Sequence, residues 1–389
     1  MKRSRLPRRA KQTPDAEALI RLATGFSLSA TRIEDAFWDA RLVALVNRLL
    51  EENAEEIFNA ALDQLYQQSS RAYDELADTI ESCTESRRGT DAGHELLLFV
   101  APLLAWSRYV IPSGVLGTTM IANARVHLLA HVFARDVKIG LANYLFSPDQ
   151  LPQGFCETTA LREKLAKAAL HDRDIALDGT LLPETNAFLS DTRFLIGVAV
   201  APKGAPLFRW QEDDGNREDA LTQWRTQGGE VLRPLFTGCA YELLLPQPYH
   251  AGCREADRQA RPYSLRASAA FLATTLNQPP AQLRAVVAPF FDQRLEEFRI
   301  GFTLRGNDQV IHGVVWPLLD SEDESTDIGA QIEAVLKETG IGEVVVLDHR
   351  FPLEWCDDCG APLFPNPDGE PAHAEMPEEQ GEPMPRHLH

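Results

Sequence analysis

Two cysteines near the C-terminal end are the residues whose types and spacing most clearly indicate chemistry. Cys356 and Cys359 lie three positions apart in the stretch EWCDDCGAPLFPNP, residues 354–367, and a glycine follows the second cysteine. Pairs at this spacing bind zinc or exchange electrons. Pro362 and Pro365 disfavour the regular helix that follows a redox pair, so the segment favours a zinc knuckle, with a reactive pair or metal-free thiols as the alternatives.

A structural zinc site needs four ligands, and two routes to the missing ones are open. In the first, a Pro/Gly-rich turn at residues 365–369 sends the chain back through His373, beside the cysteines. In the second, His250 and Cys253 form another pair three positions apart, contributed by a related half of the chain. The predicted structural zinc ligands are Cys356, Cys359, Cys253 and His373, and the fourth position stays open among His250, Cys253 and His373.

The second route depends on an internal similarity in the C-terminal part of the chain. The pattern F-x-I-G occurs at Phe194 and again at Phe298, and strands, a helix and a cysteine follow at similar spacing. We therefore predict a tandem duplication of an αβββαβ module whose two copies pack together and bring Cys253 close to Cys356. Two unrelated helix–strand runs with fortuitous matches are the alternative.

The N-terminal part has helical periodicity. Residues 31–34, Thr-Arg-Ile-Glu, form a capping box, and apolar residues follow at helical spacing. The apolar run HELLLFVAPLLAWSRYV is interpreted as a further, central helix. The fold class is α+β, with an all-helical N-terminal domain, the duplicated module and a short CxxC hairpin. The predicted segments are a basic disordered arm (1–14), the helical domain (15–150), the first repeat (157–253), the second repeat (261–355), the hairpin (356–376) and an acidic disordered tail (377–389).

Composition limits the class of protein and its partners. Six cysteines among 389 residues are too few for a disulfide scaffold, and no uncharged run reaches the roughly 20 apolar residues of a membrane helix. No apolar region follows the basic N-terminus, so we expect a soluble, cytoplasmic protein. The net charge is −19, yet residues 1–14 carry six basic residues and no acid. An acidic body repels phosphate, so nucleic-acid binding is unlikely except through the arm.

Known catalytic motifs are absent from the sequence. It contains no G-x-G-x-x-G, G-x-x-x-x-G-K-[ST], G-x-S-x-G or H-E-x-x-H. We therefore expect a non-catalytic binding or regulatory protein whose partner is another protein or a small molecule. The first alternative is an enzyme with its site in the cleft between the two repeats, near Arg254, Arg258, Glu296 and Glu297. The second is nucleic-acid contact through the basic arm.

Several longer stretches resemble a known family. They are LLPQPYHAGCREADRQARPYSLRA, EFRIGF, GVVWPLL and LDHRFPLEWCDDCGAPLFPNPDGEPAHAEMPE. The combination resembles a bacterial family defined by a domain of unknown function, DUF2863, over nearly the whole chain. The resemblance implies a soluble bacterial protein and supplies no activity, cofactor or catalytic residue.

Overall fold

The structure is a computed structural model that describes residues 13–88, 93–171, 173–319 and 322–377. The predicted arm and tail lie outside these residues, apart from residues 13, 14 and 377. The chain has a mixed α+β fold, so the predicted class is confirmed. The helices are α1 (Pro14–Ser27), α2 (Arg32–Glu51), α3 (Glu55–Gln68), α4 (Ser70–Glu85), α5 (Thr118–His131), α6 (Phe155–Ala169), α7 (Arg217–Gln223), α8 (Gly229–Leu232), α9 (Tyr249–Thr275) and α10 (Ile328–Glu338).

The strands form two larger sheets and one hairpin. They are β1 (Ser86–Arg88), β2 (His94–Trp106), β3 (Gly114–Val115), β4 (Lys138–Phe146), β5 (Ser190–Pro202), β6 (Ala240–Leu243), β7 (Gln247–Pro248), β8 (Leu283–Phe291), β9 (Leu295–Leu304), β10 (His312–Pro317), β11 (Glu343–Val346), β12 (Phe351–Pro352), β13 (Phe364–Pro365) and β14 (Pro371–Ala372).

The first four helices form the N-terminal bundle. The Thr31 side chain accepts a hydrogen bond from the backbone N–H of Glu34, so Thr31 is the N-cap of α2 as predicted. The Glu34 side chain accepts from the backbone N–H of Ala30 and not from that of Thr31, so the predicted capping box is only half formed. Apolar residues at helical spacing bury themselves between the four helices, among them Leu19, Leu42 and Phe58. The bundle ends at Glu85, the last residue of α4, and the chain continues into β1.

The all-helical prediction for residues 15–150 is wrong beyond this point, because the apolar run at 94–106 is the strand β2. An apolar run without alternation fits a buried helix and a buried strand equally well. Here both faces of the strand are covered: Phe99 and Leu103 belong to one core and Leu98 and Val100 to the other. Pro102, inside the run, is compatible with β2 and would have disrupted a helix.

The first sheet has the order β1-β2-β5-β4-β3, and β6 and β7 also pair with β2. Helix α5 and the segment from α7 to α8 cover one face. Helices α6 and α9 cover the other. The sheet is therefore a buried layer, which explains the near-continuous apolar character of its central strands.

The second sheet has the order β10-β9-β8-β11, and β12 extends alongside β8. One face packs on α10 and the C-terminal half of α9. Helix α9 also packs against the first sheet through its N-terminal half, so it links the two sheets. The predicted boundary between the repeats at residues 254–260 therefore falls inside one continuous helix.

The predicted duplication does not describe the first unit. The second unit has the predicted order α9-β8-β9-β10-α10-β11. In the first unit a 3₁₀ turn, Arg209–Gln211, replaces the predicted second strand, and β2 and β4, which flank β5, precede residue 157. The glycine shared by the two F-x-I-G patterns is explained by close packing at each position. A Cβ on Gly197 would lie 2.6 Å from its nearest neighbouring atom, and a Cβ on Gly301 would lie 2.2 Å from its own.

Candidate metal centre

The CxxC segment forms a tight knuckle. The backbone N–H of Cys356 donates to the carbonyl of Ala361 at 2.7 Å, and that of Gly360 donates to the carbonyl of Cys356 at 2.8 Å. Gly360 has a φ of 72°, a left-handed conformation that glycine adopts without strain. This turn brings the two cysteine side chains close together, the arrangement that a metal requires.

The chain returns to the knuckle through the predicted hairpin. Strands β13 and β14 pair in antiparallel register, and Gly369 has a φ of 82° in the turn between them. His373 follows β14 directly, and its Nε2 lies 3.2 Å from Sγ of Cys359. Cys356, Cys359 and His373 place one possible metal-binding atom each within 4.8 Å of the other two. No other three Cys, His, Asp or Glu residues do so in the part of the chain that the structure describes.

The surroundings of Cys356 favour its thiolate, which is the form that binds a metal. Backbone N–H groups of Cys359 and Asp358, together with the Cys359 side chain, donate hydrogen bonds to the Cys356 sulfur and lower the pKa of the Cys356 thiol. Nδ1 of His373 lies 3.6 Å from a carboxylate oxygen of Glu375. A carboxylate beside one ring nitrogen orients the other toward a metal, as is usual for histidine ligands.

The donor set fits zinc. Zinc–sulfur and zinc–nitrogen bonds of about 2.3 and 2.0 Å at a tetrahedral angle place sulfur and nitrogen about 3.5 Å apart. The 3.2 Å separation of Cys359 and His373 is close to that value. Two thiolates and one imidazole are soft and borderline ligands, which favour zinc over magnesium or calcium. Because Cys359 is exposed, water can reach the fourth position.

A buried arginine holds the base of the hairpin on the second sheet. The guanidinium of Arg299, on β9, donates to the carbonyl oxygens of Glu354 and Leu363 at 2.6 and 2.8 Å. It lies over the Phe290 ring at 4.4 Å, and its Nε donates to Glu297 at 2.6 Å. The side chain of Arg299 has no solvent exposure, so the positive charge depends on these partners.

An aromatic side chain anchors the same hairpin. Phe364, on β13, is fully buried against β10 at Gly313. A Cβ at Gly313 would lie 2.3 Å from the Phe364 ring, so only glycine leaves room for it. The hairpin covers the face of the second sheet that α9 and α10 leave open.

Cys253 and His250 lie outside the group, contrary to the predicted second route. Cys253 packs beside the first-sheet core, where burial raises the pKa of its thiol to about 12. Nε2 of His250 and Oγ1 of Thr84 share a hydrogen bond at 2.8 Å, and the His250 backbone N–H donates to Glu85 at 2.9 Å. These residues join α9 to α4. The thiols of residues 253 and 356 do not meet because the two units differ in topology.

Two of the four residues of the predicted enzyme site line a common groove, and the other two do not. Arg254 and Glu296 line a groove of about 1280 Å³ between α4, α9 and the second unit. Arg258 pairs with a neighbour on its own helix, and Glu297 pairs with the buried Arg299. A second cavity of about 1100 Å³ lies between the N-terminal ends of α6 and α9 and the bundle helix α3.

Sequence reasoning missed two residues that support the group of Cys356, Cys359 and His373. Glu375 stands two positions after His373, and this His-x-Glu spacing is the one signal that identifies it. Arg299 alternates with apolar residues along β9 but faces the hairpin side of the sheet. A charged residue between the apolar Phe298 and Ile300 was the available signal that something covers that face.

Comparisons with other proteins place the chain in a family. Within the described residues, no helix is long and apolar enough to cross a membrane. Neither curated proteins nor solved structures give a match. The family described as protein of unknown function (DUF2863) matches residues 4–387, and the chain belongs to that family.

Proposed function

We propose that this member of the DUF2863 family is a zinc-stabilised, non-catalytic binding protein, in which Cys356, Cys359 and His373 hold one zinc ion. The observation that carries the proposal is the convergence of these three donor atoms, brought together by one short hairpin. The carboxylate of Glu375 beside the outer nitrogen of His373 supports it.

The role of the ion is structural in this proposal. Strands β13 and β14 contribute two paired residues each, and a hairpin of that length is not stable by itself in water. Zinc binding contributes directly to folding free energy in small modules of this kind. The ion would lock the knuckle to the return strand and so keep Phe364 and the Arg299 contacts in place.

The position of the group favours a structural over a catalytic ion. Catalytic zinc sites lie in clefts, with three protein ligands and one open position. Cys359 is exposed at a turn, and neither the groove nor the cavity described above includes Cys356, Cys359 or His373. An enzyme is the second candidate because three protein ligands also leave one position for water. Zinc-dependent turnover lost in Cys359→Ser would favour that candidate.

The groove between α4, α9 and the second unit is the proposed place of binding. It is formed by three parts of the chain, and such junctions are where ligands and partners commonly bind. Its walls combine tyrosine rings with charged side chains, which suits a polar or charged partner.

Metal analysis of the purified chain tests the zinc proposal. We expect about one zinc per chain in the wild type and almost none in Cys356→Ser or His373→Ala, because each loses one of three ligands. Cys253→Ser is the matched control, since it removes a thiol outside the group and should retain the metal. The proposal would be contradicted by wild-type protein that is folded without zinc. It would also be contradicted if Cys253→Ser lost zinc while Cys356→Ser and His373→Ala retained it.

A further inference from the structure

The cavity between α3 and the N-terminal ends of α6 and α9 has a buried floor and an exposed rim. Its volume is about 1100 Å³, which is enough for a small organic molecule. Cys156 and Tyr249 line the floor, where they are 7% and 4% exposed. Asp63, Glu157 and Asp257 line the rim, where they are exposed to solvent. A molecule bound here would have its apolar part at the floor and a polar group at the rim.

Tyr249 contributes an unpartnered hydroxyl to this cavity. Its side chain is buried in the core on one face of the first sheet, yet its hydroxyl forms no hydrogen bond with any residue that the structure describes. Tyr144, the other buried tyrosine, accepts a hydrogen bond from Nε2 of Gln150 at 3.3 Å. Burial, and then Cys253 and Glu157 in the cavity lining, raise the pKa of Tyr249, so its hydroxyl keeps the proton and can donate it. A buried donor without a partner costs free energy, and an oxygen atom of a ligand would satisfy it.

The helix N-termini at the cavity are already occupied by carboxylates of the bundle. Glu55, on α3, accepts hydrogen bonds from the backbone N–H groups of Phe155 and Cys156 at 3.0 and 2.8 Å, at the start of α6. Glu85, on α4, accepts the backbone N–H of His250 at 2.9 Å, at the start of α9. An anion would have to displace these carboxylates to reach the positive ends of the helix dipoles, so the cavity does not suit an anion.

The charge and the aromatic rings of the cavity favour a cation. The rings of Tyr66 and Tyr73 pack edge to face at 5.6 Å in its wall, and ring faces of this kind attract ammonium groups. His250, also in the lining, is neutral at pH 7 because burial lowers its pKa to about 4. Carboxylates around a concave surface raise the local concentration of cations. Among the described residues, no lysine or arginine lines the cavity, and the carboxylates that line it are Glu55, Asp63, Glu157 and Asp257.

We propose that this cavity binds a small organic amine. The ammonium group lies at the rim, between the carboxylates and the tyrosine rings. The apolar part of the amine packs against the floor, and an oxygen atom that it carries accepts a hydrogen bond from Tyr249. The bound amine contacts α3 of the bundle together with α6 and α9 of the first sheet. The site does not depend on zinc, and Tyr249 does not line the groove beside α4.

Titration calorimetry of the full chain with tyramine tests the proposal, since tyramine carries an ammonium group, an aromatic ring and a hydroxyl oxygen. We expect saturable binding with a Kd of about 1 mM or tighter, as is usual for a ligand of this size. The matched probe is 4-hydroxyphenylacetate, which has the same phenol ring and a carboxylate in place of the ammonium group. It should bind at least about tenfold more weakly. Equal affinity for the two probes, or no saturable binding of tyramine, would overturn the proposal.

Tyr249→Phe tests the contact at the floor, because it removes the hydroxyl and keeps the ring. We expect tyramine to bind about fivefold more weakly, the usual effect of losing one hydrogen bond. The melting temperature should not fall, because the hydroxyl has no protein partner to lose. Tyr263→Phe is the matched control: the Tyr263 hydroxyl donates to the carbonyl of Ala240 at 3.1 Å outside the cavity, so this variant should bind tyramine like the wild type. Equal affinity of Tyr249→Phe and the wild type would overturn the assignment of this cavity.

Discussion

At the scale of single residues, the proposed zinc site depends on the orientation of the His373 imidazole. The sequence was sufficient to predict that Cys356, Cys359 and His373 lie together, because the CxxCG motif and the Pro/Gly turn are local in the chain. It was insufficient for Cys253, whose assignment relied on two units facing each other. Burial of Cys253 beside α4 is a tertiary effect that spacing along the chain does not reveal.

Glu375→Gln should weaken zinc binding without unfolding the protein. The substitution removes the charge beside Nδ1 of His373, so the ring loses a partner that orients it. Loss of such a partner lowers metal affinity by about 10- to 100-fold. The Glu375 side chain is 69% exposed, so we expect about tenfold, measured by competition with a chromophoric chelator. Glu370→Gln, an exposed acid of the same hairpin, should bind zinc like the wild type; equal affinity of the two variants would contradict the role of Glu375.

At the scale of elements, local signals were reliable and long apolar runs were not. The capping box at Thr31 predicted the start of α2 correctly, because a cap needs only neighbouring residues. The run of β2 was assigned to a helix because a strand with both faces buried shows no alternation. Pro102, in the middle of that run, was the residue that argued against a helix.

The order of strands and helices was predictable from the sequence for the second unit, but the strand order of the first unit was not. Around Phe298 the strands pair with their sequence neighbours, so β8, β9 and β10 follow from turns between them. Around Phe194 the partners of β5 are β2 and β4, both contributed from before the predicted module. Non-local pairing of this kind leaves no signal in the spacing of turns.

At the scale of the whole molecule, α4 of the helical bundle packs against α6 and α9, the two helices that cover one face of the first sheet. His250 contacts Thr84 and Glu85, residues that precede it by about 165 positions along the chain. Burial lowers the pKa of His250 to about 4 and raises the pKa of Glu85 to about 7. Both groups are therefore neutral near pH 6, which suits a junction that excludes water.

Glu85→Gln should stabilise the protein above pH 7 and have little effect below pH 5. The pKa of Glu85 is raised from 4.5 to about 7 in the folded protein, so the folded state binds the proton more tightly. Its contribution to stability is present at low pH and is lost as pH rises from 4.5 to about 7. Glutamine stays neutral and can still accept the His250 N–H, so we expect a gain of about 1–3 kcal/mol at pH 8.

Urea unfolding at pH 5 and pH 8 measures this difference. Glu51→Gln, at an exposed position at the end of α2, is the control and should show no such pH dependence. A difference between Glu85→Gln and the wild type that is the same at both pH values would contradict a buried carboxyl at the junction.

X-ray absorption at the zinc edge of the purified protein tests the central claim most directly, because it counts the atoms bound to the metal. We predict two sulfur ligands at about 2.3 Å and one imidazole nitrogen at about 2.0 Å, with one further light atom completing the shell. Cys359→Ser should reduce the sulfur count to one or abolish binding. A shell without sulfur, or one with more than two sulfur atoms, would contradict a site built from Cys356, Cys359 and His373.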